Sequence, residues 1–147
     1  MDYKKKNKNF FKMSAILFTI KLFSTAIGAT KYDDSQILKL LDNHIKTNNK
    51  ITKLGANIYT EKTKRIFQLE ISSTKDEANK ILIQAFSVLF KLSAYTKKQI
   101  HKCKLIIHLE NYDIPIIATC DYKCSEKYFL SDKLKEWRDN CLIIRTI

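Results

Sequence analysis

The sequence predicts an α+β protein: a mostly antiparallel sheet of about five strands with a long central helix, in the order α-β-β-α-β-β-α-β. Two pairs of segments alternate apolar and polar residues, which is the pattern of strands with one wet face. Two further segments repeat apolar residues at helical spacing, and a third is read as a short helix from its cap. After residue 29 only Gly55 and Pro115 remain as chain breakers, so regular elements should be long and their turns polar. Strands that come in successive pairs favour an antiparallel sheet with helices on one face.

The first helix is signalled by Asp33-Asp34-Ser35, which supply a cap and early-turn acids. Ile37, Leu38, Leu41 and Ile45 follow at helical spacing, and the helix should end near Thr47-Asn48-Asn49. Leu54, Ala56 and Ile58, then Phe67, Leu69 and Ile71, alternate with polar residues and predict a hairpin turning through Thr60 to Lys64. Thr74-Lys75-Asp76-Glu77 matches a capping box ahead of a long helix, roughly Lys75 to Lys98. Ala78, Ile81, Leu82, Ala85, Val88, Leu89, Leu92 and Tyr95 form its apolar stripe, and Ile83, Phe86 and Phe90 add a second apolar face. That face is expected to pack under another element or to receive a partner. Cys103 to Glu110 and Ile114 to Cys120 predict a second hairpin around Asn111-Tyr112-Asp113, with Pro115 at a strand start or edge. Ser131 is expected to cap a short helix through Trp137, and Cys141 to Ile147 a last strand.

The chain begins with Lys4, Lys5, Lys6, Lys8 and Lys12, then two apolar stretches, Met13 to Ile20 and Leu22 to Ile27, then Gly28 and Ala29. A positive start, a short apolar segment and a small-residue exit are the parts of a secretory signal. Residues 1–29 are therefore expected to be a signal peptide and 30–147 one α+β domain, periplasmic or secreted. Lys21 interrupts the apolar segment at a cost of about 2.5–3.5 kcal/mol on an insertion scale. The alternative is an uncleaved membrane anchor over Phe10 to Ala29, with the C-terminal domain outside the cytoplasm.

Charge narrows the function classes. Removing the six Lys and one Asp of residues 1–29 takes the counts from 27 basic and 15 acidic to 21 and 14, and the net charge from +12 to +7. The remaining arginines are Arg65, Arg138 and Arg145, whereas base-edge and phosphate recognition favours the arginine fork. Nucleic acid is thus a disfavoured partner, and a membrane is expected only through the N-terminal segment. No Gly-rich phosphate loop is present in the sequence, which excludes P-loop and dinucleotide fingerprints.

The four cysteines, Cys103, Cys120, Cys124 and Cys141, are disulfide candidates in an exported domain. If Leu109 faces Ile114, paired numbers in the second hairpin add to 223, and Cys103 lies opposite Cys120. Cys103–Cys120 with Cys124–Cys141 is the favoured pairing, and Cys120–Cys141 its rival. His101, Cys103, His108, Cys120 and Cys124 include zinc-ligand types, but strand alternation puts His108 on the face away from His101 and Cys103. No metal, cofactor or catalytic residue is therefore expected. Asp33/Asp34, Asp76/Glu77 and Asp132/Glu136 read as caps and solvated acids rather than as a catalytic pair.

Tyr122, Lys123, Lys127, Tyr128, Lys133, Lys135, Trp137 and Arg138, with Phe129 among them, interleave aromatic and basic side chains and form a candidate binding patch. The competing expectation is that Phe129, Leu130, Leu134 and Trp137 pack on the sheet while the lysines stay wet. The expected function is that of a small exported binding or accessory protein acting by protein contact, through this patch or through the exposed face of the long helix. The alternatives are a secreted Cys/His enzyme or toxin and a basic nucleic-acid-binding protein.

Overall fold

The computed structural model describes residues 30–48, 50–129 and 131–146. Residues 1–29, which carry the signal-peptide expectation, lie outside the described residues, as do Asn49, Leu130 and Ile147. The described residues from Lys31 onward form one compact unit.

Its elements are α1 (Asp34–Asn48), β1 (Thr52–Glu61), β2 (Lys64–Ser73), α2 (Ala78–Ser93), β3 (Lys102–Leu109), β4 (Ile116–Asp121), α3 (Tyr122–Tyr128), α4 (Leu134–Asn140) and β5 (Leu142–Thr146). The strands form one sheet in the order β1-β2-β3-β4-β5. Every neighbouring pair is antiparallel except β2 and β3, which are parallel. A parallel pair needs a crossover connection, and α2 provides it. The chain is thus α+β with a mostly antiparallel five-stranded sheet, as its sequence predicts.

Strand alternation builds the core in rows that cross the sheet. Ile58, Phe67, Cys103, Cys120 and Leu142 make one row, and Ala56, Leu69, Leu105, Ala118 and Ile144 the next. Phe67, Leu69, Cys103, Leu105 and Ala118 are fully buried at the centre of these rows. The helix α2 packs on β2 and β3 and buries Ile81, Leu82, Ala85, Phe86, Val88, Leu89 and Phe90. Fully burying a large apolar side chain contributes about 1.5–3 kcal/mol, so this face dominates the core. From α1, Ile37, Leu41 and Ile45 join it at four-residue spacing. The alternate row, Asn57, Gln68, Lys104, Thr119 and Ile143, belongs to the opposite face of the sheet, where Lys104 and Thr119 are half-buried and Ile143 is exposed.

Three local expectations change. The strands of the first hairpin run to Glu61 and Lys64, so the turn is only Lys62-Thr63, with Lys62 in the left-handed region (φ 56°). The long helix is shorter at both ends. Ser73 is still held in the sheet, where its carbonyl accepts from the Glu110 N–H at 3.0 Å, and residues 75–77 make a turn. The cap residue of α2 is Glu77, without a side-chain cap bond, so Thr74 and Glu77 form no capping box. At the other end Tyr32 bridges to Thr96: the Tyr32 N–H donates to the Tyr95 carbonyl at 2.8 Å, and the Lys97 N–H to the Tyr32 carbonyl at 2.9 Å. That pairing draws the chain out of the helix after Ser93. The reciprocal box sits instead on α1. Asp33 Oδ1 accepts from the Gln36 N–H at 2.9 Å, and Gln36 Oε1 accepts from the Asp33 N–H at 3.0 Å.

The last third departs most. Tyr122–Tyr128 is helical, capped by Asp121, whose Oδ1 accepts from the Cys124 N–H at 3.1 Å. Ser131 does not cap α4; its hydroxyl donates to the Lys127 carbonyl, and Lys133 occupies the cap position without a side-chain bond.

The two candidate boxes make a direct comparison. Asp33→Ala should lower stability by about 1 kcal/mol, as loss of an N-cap does. Thr74→Ala should change it by only a few tenths. Urea unfolding followed by circular dichroism reads both.

Candidate functional site

The predicted patch falls in a helical pair, α3 and α4, closed by a disulfide. Cys124 in α3 and Cys141 beyond α4 are bonded, with an S–S distance of 1.98 Å and Cα atoms 5.7 Å apart. Closing a loop of this separation, 17 residues, contributes roughly 3 kcal/mol in the chain-entropy model. Trp137 fills the space between the pair and α2. It is 0% exposed, and its Nε1 donates to Ser125 Oγ at 3.0 Å. Its ring meets Phe86 and Phe129 edge-on, at 5.5 and 5.0 Å between centroids. Phe90 completes the cluster against Phe129 and Tyr122.

The predicted binding patch is therefore divided. Trp137 is a core residue and offers no surface, because the second apolar face of α2, Phe86 and Phe90, needs a cover and Trp137 supplies it. Tyr122 and Tyr128 are half-buried, while Lys123, Lys127, Lys133, Lys135 and Arg138 are exposed. Lys127 Nζ lies 4.9 Å from the Tyr128 ring centre. Leu130 lies outside the described residues.

The other two cysteines are free thiols. The β3–β4 register has every pair adding to 223, as expected, so Cys103 does face Cys120. The Cys103–Cys120 disulfide of the favoured pairing is nevertheless not formed. Cys103 Sγ is turned toward α2, 3.7 Å from Ser93 Oγ. The Ser93 hydroxyl donates to the Leu89 carbonyl at 2.7 Å, which leaves its oxygen to accept from the Cys103 thiol. Burial pushes the Cys103 thiol up to about 12, and burial followed by the neighbouring Cys103 pushes Cys120 well above the usual thiol range.

The histidines sit elsewhere. His101 Nδ1 accepts from the Arg65 N–H at 3.0 Å, and His108 Nε2 pairs with Glu70 Oε1 at 2.5 Å on the open face of the sheet. No Cys–His hydrogen bond joins these groups, and among the described residues no three His, Cys, Asp or Glu side chains gather closely enough to hold a metal ion. The zinc-type residues of the sequence thus end on different faces.

One concave feature joins α2 to the Phe129–Leu134 stretch, although none of Tyr122, Lys123, Lys127, Tyr128, Lys133, Lys135, Trp137 and Arg138 lines it. A cleft of about 390 Å³ is lined by His44 and Ile45 of α1, Lys50 and Ile51 beyond it, and Ile83, Gln84, Ser87, Val88 and Lys91 of α2. Phe129, Asp132 and Leu134 from the helical pair complete the lining. Ile45 and Val88 are buried, Ile51, Ile83, Phe129 and Leu134 half-buried, and Lys50 and Lys91 exposed. Burial, and secondarily the Lys91 charge, hold His44 below the usual imidazole range. The sequence singled out the apolar face of the long helix and the aromatic–basic segment separately. It did not point to Lys50, Ile51 or Asp132; the signal for the cleft was Ile83, an apolar residue outside the main stripe of α2.

No known family model matches the chain, and no curated protein or solved structure is detectably similar to it. Among the described residues no helix is long and apolar enough to cross a membrane.

The buried thiols make a chemical prediction. Cys103 keeps its proton in the folded state, whereas the unfolded chain loses it above its ordinary value of 9.0. Stability should therefore fall as pH rises from about 9 toward 12. Cys103→Ala with Cys120→Ala should flatten that slope in unfolding experiments. In the parent protein, two thiols should react with an aromatic disulfide reagent only after denaturation.

Proposed function

We propose that this chain is a small exported accessory protein that acts by holding a segment of another protein in the cleft between α1, α2 and the α3–α4 pair, without enzymatic chemistry of its own. The observation that carries this reading is the shared lining: Ile83, Ser87 and Lys91 of α2 and Phe129 and Leu134 of the helical pair bound the same space. Apolar walls with a few polar groups are what a binding cleft requires. The lysine-rich and apolar start of the chain and the Cys124–Cys141 disulfide both support export, because such bridges persist in oxidising compartments. Burial of both free thiols, each held in its protonated form, supports a binding role over thiol catalysis.

A photo-crosslinking residue at Ser87, in the cleft, and at Thr119, on the opposite face of the sheet, tests the reading in the cells that make the protein. The expected result is a single protein captured from Ser87 and not from Thr119. As a purified pair the two should bind, and Ser87→Trp, which fills the cleft, should weaken them at least about tenfold, or 1.4 kcal/mol. Equal capture from both positions, or binding indifferent to Ser87→Trp, overturns it.

A further inference from the structure

We propose that the occupant of the cleft is an amphipathic helical segment whose apolar side chains lie on Ile83, Val88 and Phe129 and whose acidic side chains meet Lys50 and Lys91. This rests on the reading of the cleft as a protein-binding site and adds the chemistry of what it receives.

The first ground is shape. The cleft is open rather than enclosed, and its volume of about 390 Å³ is near the low end for concave ligand sites, roughly 300–1,000 Å³. Such a groove takes a row of side chains from a segment laid across it, which is how an amphipathic helix docks. The second ground is charge. Two exposed lysines, Lys50 and Lys91, stand over apolar walls, against one carboxylate, Asp132, on the α3–α4 connection. Residues 30–147 carry a net charge of +7, which favours approach of an acidic partner over a basic one.

His44 lines the same cleft and reports on the same charges. Lys50, Lys91 and Asp132 are the charged groups that line the cleft with it. Its protonation is disfavoured by burial and by Lys91. A carboxylate set against Lys91 would offset that charge and favour the imidazolium. An acidic occupant should therefore leave the His44 pKa higher than an equally buried basic occupant would.

The test uses the full chain, isotopically labelled, and a designed peptide of about 15 residues, near the minimum for a helix in water. The peptide carries leucine at helical three- and four-residue spacing with glutamate on both flanks. Two counterparts replace glutamate by lysine or leucine by serine. The glutamate peptide should bind, shift the resonances of Ile83, Ser87 and Phe129, and leave His44 with a higher pKa than the lysine peptide does at saturation. Both counterparts should bind at least about tenfold more weakly. Lys50→Glu with Lys91→Glu should reverse the preference toward the lysine peptide. These two residues are exposed, and an unchanged Trp137 fluorescence spectrum checks that the variant is folded. Equal binding of the charge-reversed peptide, shifts confined to the opposite face of the sheet, or no binding by any peptide overturns the proposal. The crosslinking result separates the two levels: a protein captured at Ser87 through a basic or uncharged segment sinks the acidic occupant and leaves the cleft as the binding site.

Discussion

The contact between α2 and the parallel pair β2 and β3 is the constraint on which the rest of the structure depends. Parallel neighbours cannot be joined by a tight turn, so α2 has to cross the sheet, and it crosses on one face. Its apolar stripe settles on Phe67, Leu69, Cys103 and Leu105, which alternation presents on that face. Both hairpins are then attached to one another through β2 and β3, and α1 fills the remaining part of the same layer with Ile37, Leu41 and Ile45. The opposite face of the sheet is left to polar and half-buried residues and to the exposed Ile143.

That contact satisfies one side of α2 and leaves Phe86 and Phe90 on another. The chain returns with a helical pair whose Trp137 and Phe129 rings cover them. Trp137 contributes an unusually large buried side chain, and Ser125 removes the penalty of burying its indole N–H. The disulfide holds the two short helices at the separation this packing needs. Neither helix, at seven residues, is long enough to be stable by itself. The cleft is the space between this added pair and the junction of α1 with β1, so it exists only because several segments are held against α2. Its lysines stand where the cover is incomplete.

Much of the fold was legible. Period-two alternation identified the four strands of the two hairpins, whose inner faces are covered by helices, while β5 was read from its apolar run Leu142-Ile143-Ile144 and is mostly exposed. The β3–β4 register could be read from a single assumed pair in the turn, since a slip of one residue would carry Cys103, Leu105 and Ile107 to the wet face. The boundaries of α2 could not. Thr74 and Glu77 match the capping pattern as well as Asp33 and Gln36 do, and the difference lies in distant partners: Glu110 holds Ser73 in the sheet, and Tyr32 pairs with Thr96. The helix Tyr122–Tyr128 was hidden for a similar reason. Its aromatic and basic residues resemble a binding loop until Phe90 and Trp137 are seen beside them.

The sequence by itself determined the class of the fold, the pairing within its two hairpins and many of the side chains of its core, because alternation and helical spacing are local properties of the chain, whereas the order of the strands in the sheet came from the tertiary structure. Tertiary structure decided what those side chains are used for. It turned the Cys103 thiol toward Ser93 instead of Cys120, withdrew Trp137 from the surface, and placed Lys50, Lys91 and Phe129 around one cleft. Each of these outcomes depends on residues far apart in the chain meeting across α2, and no local pattern encodes which of them will meet.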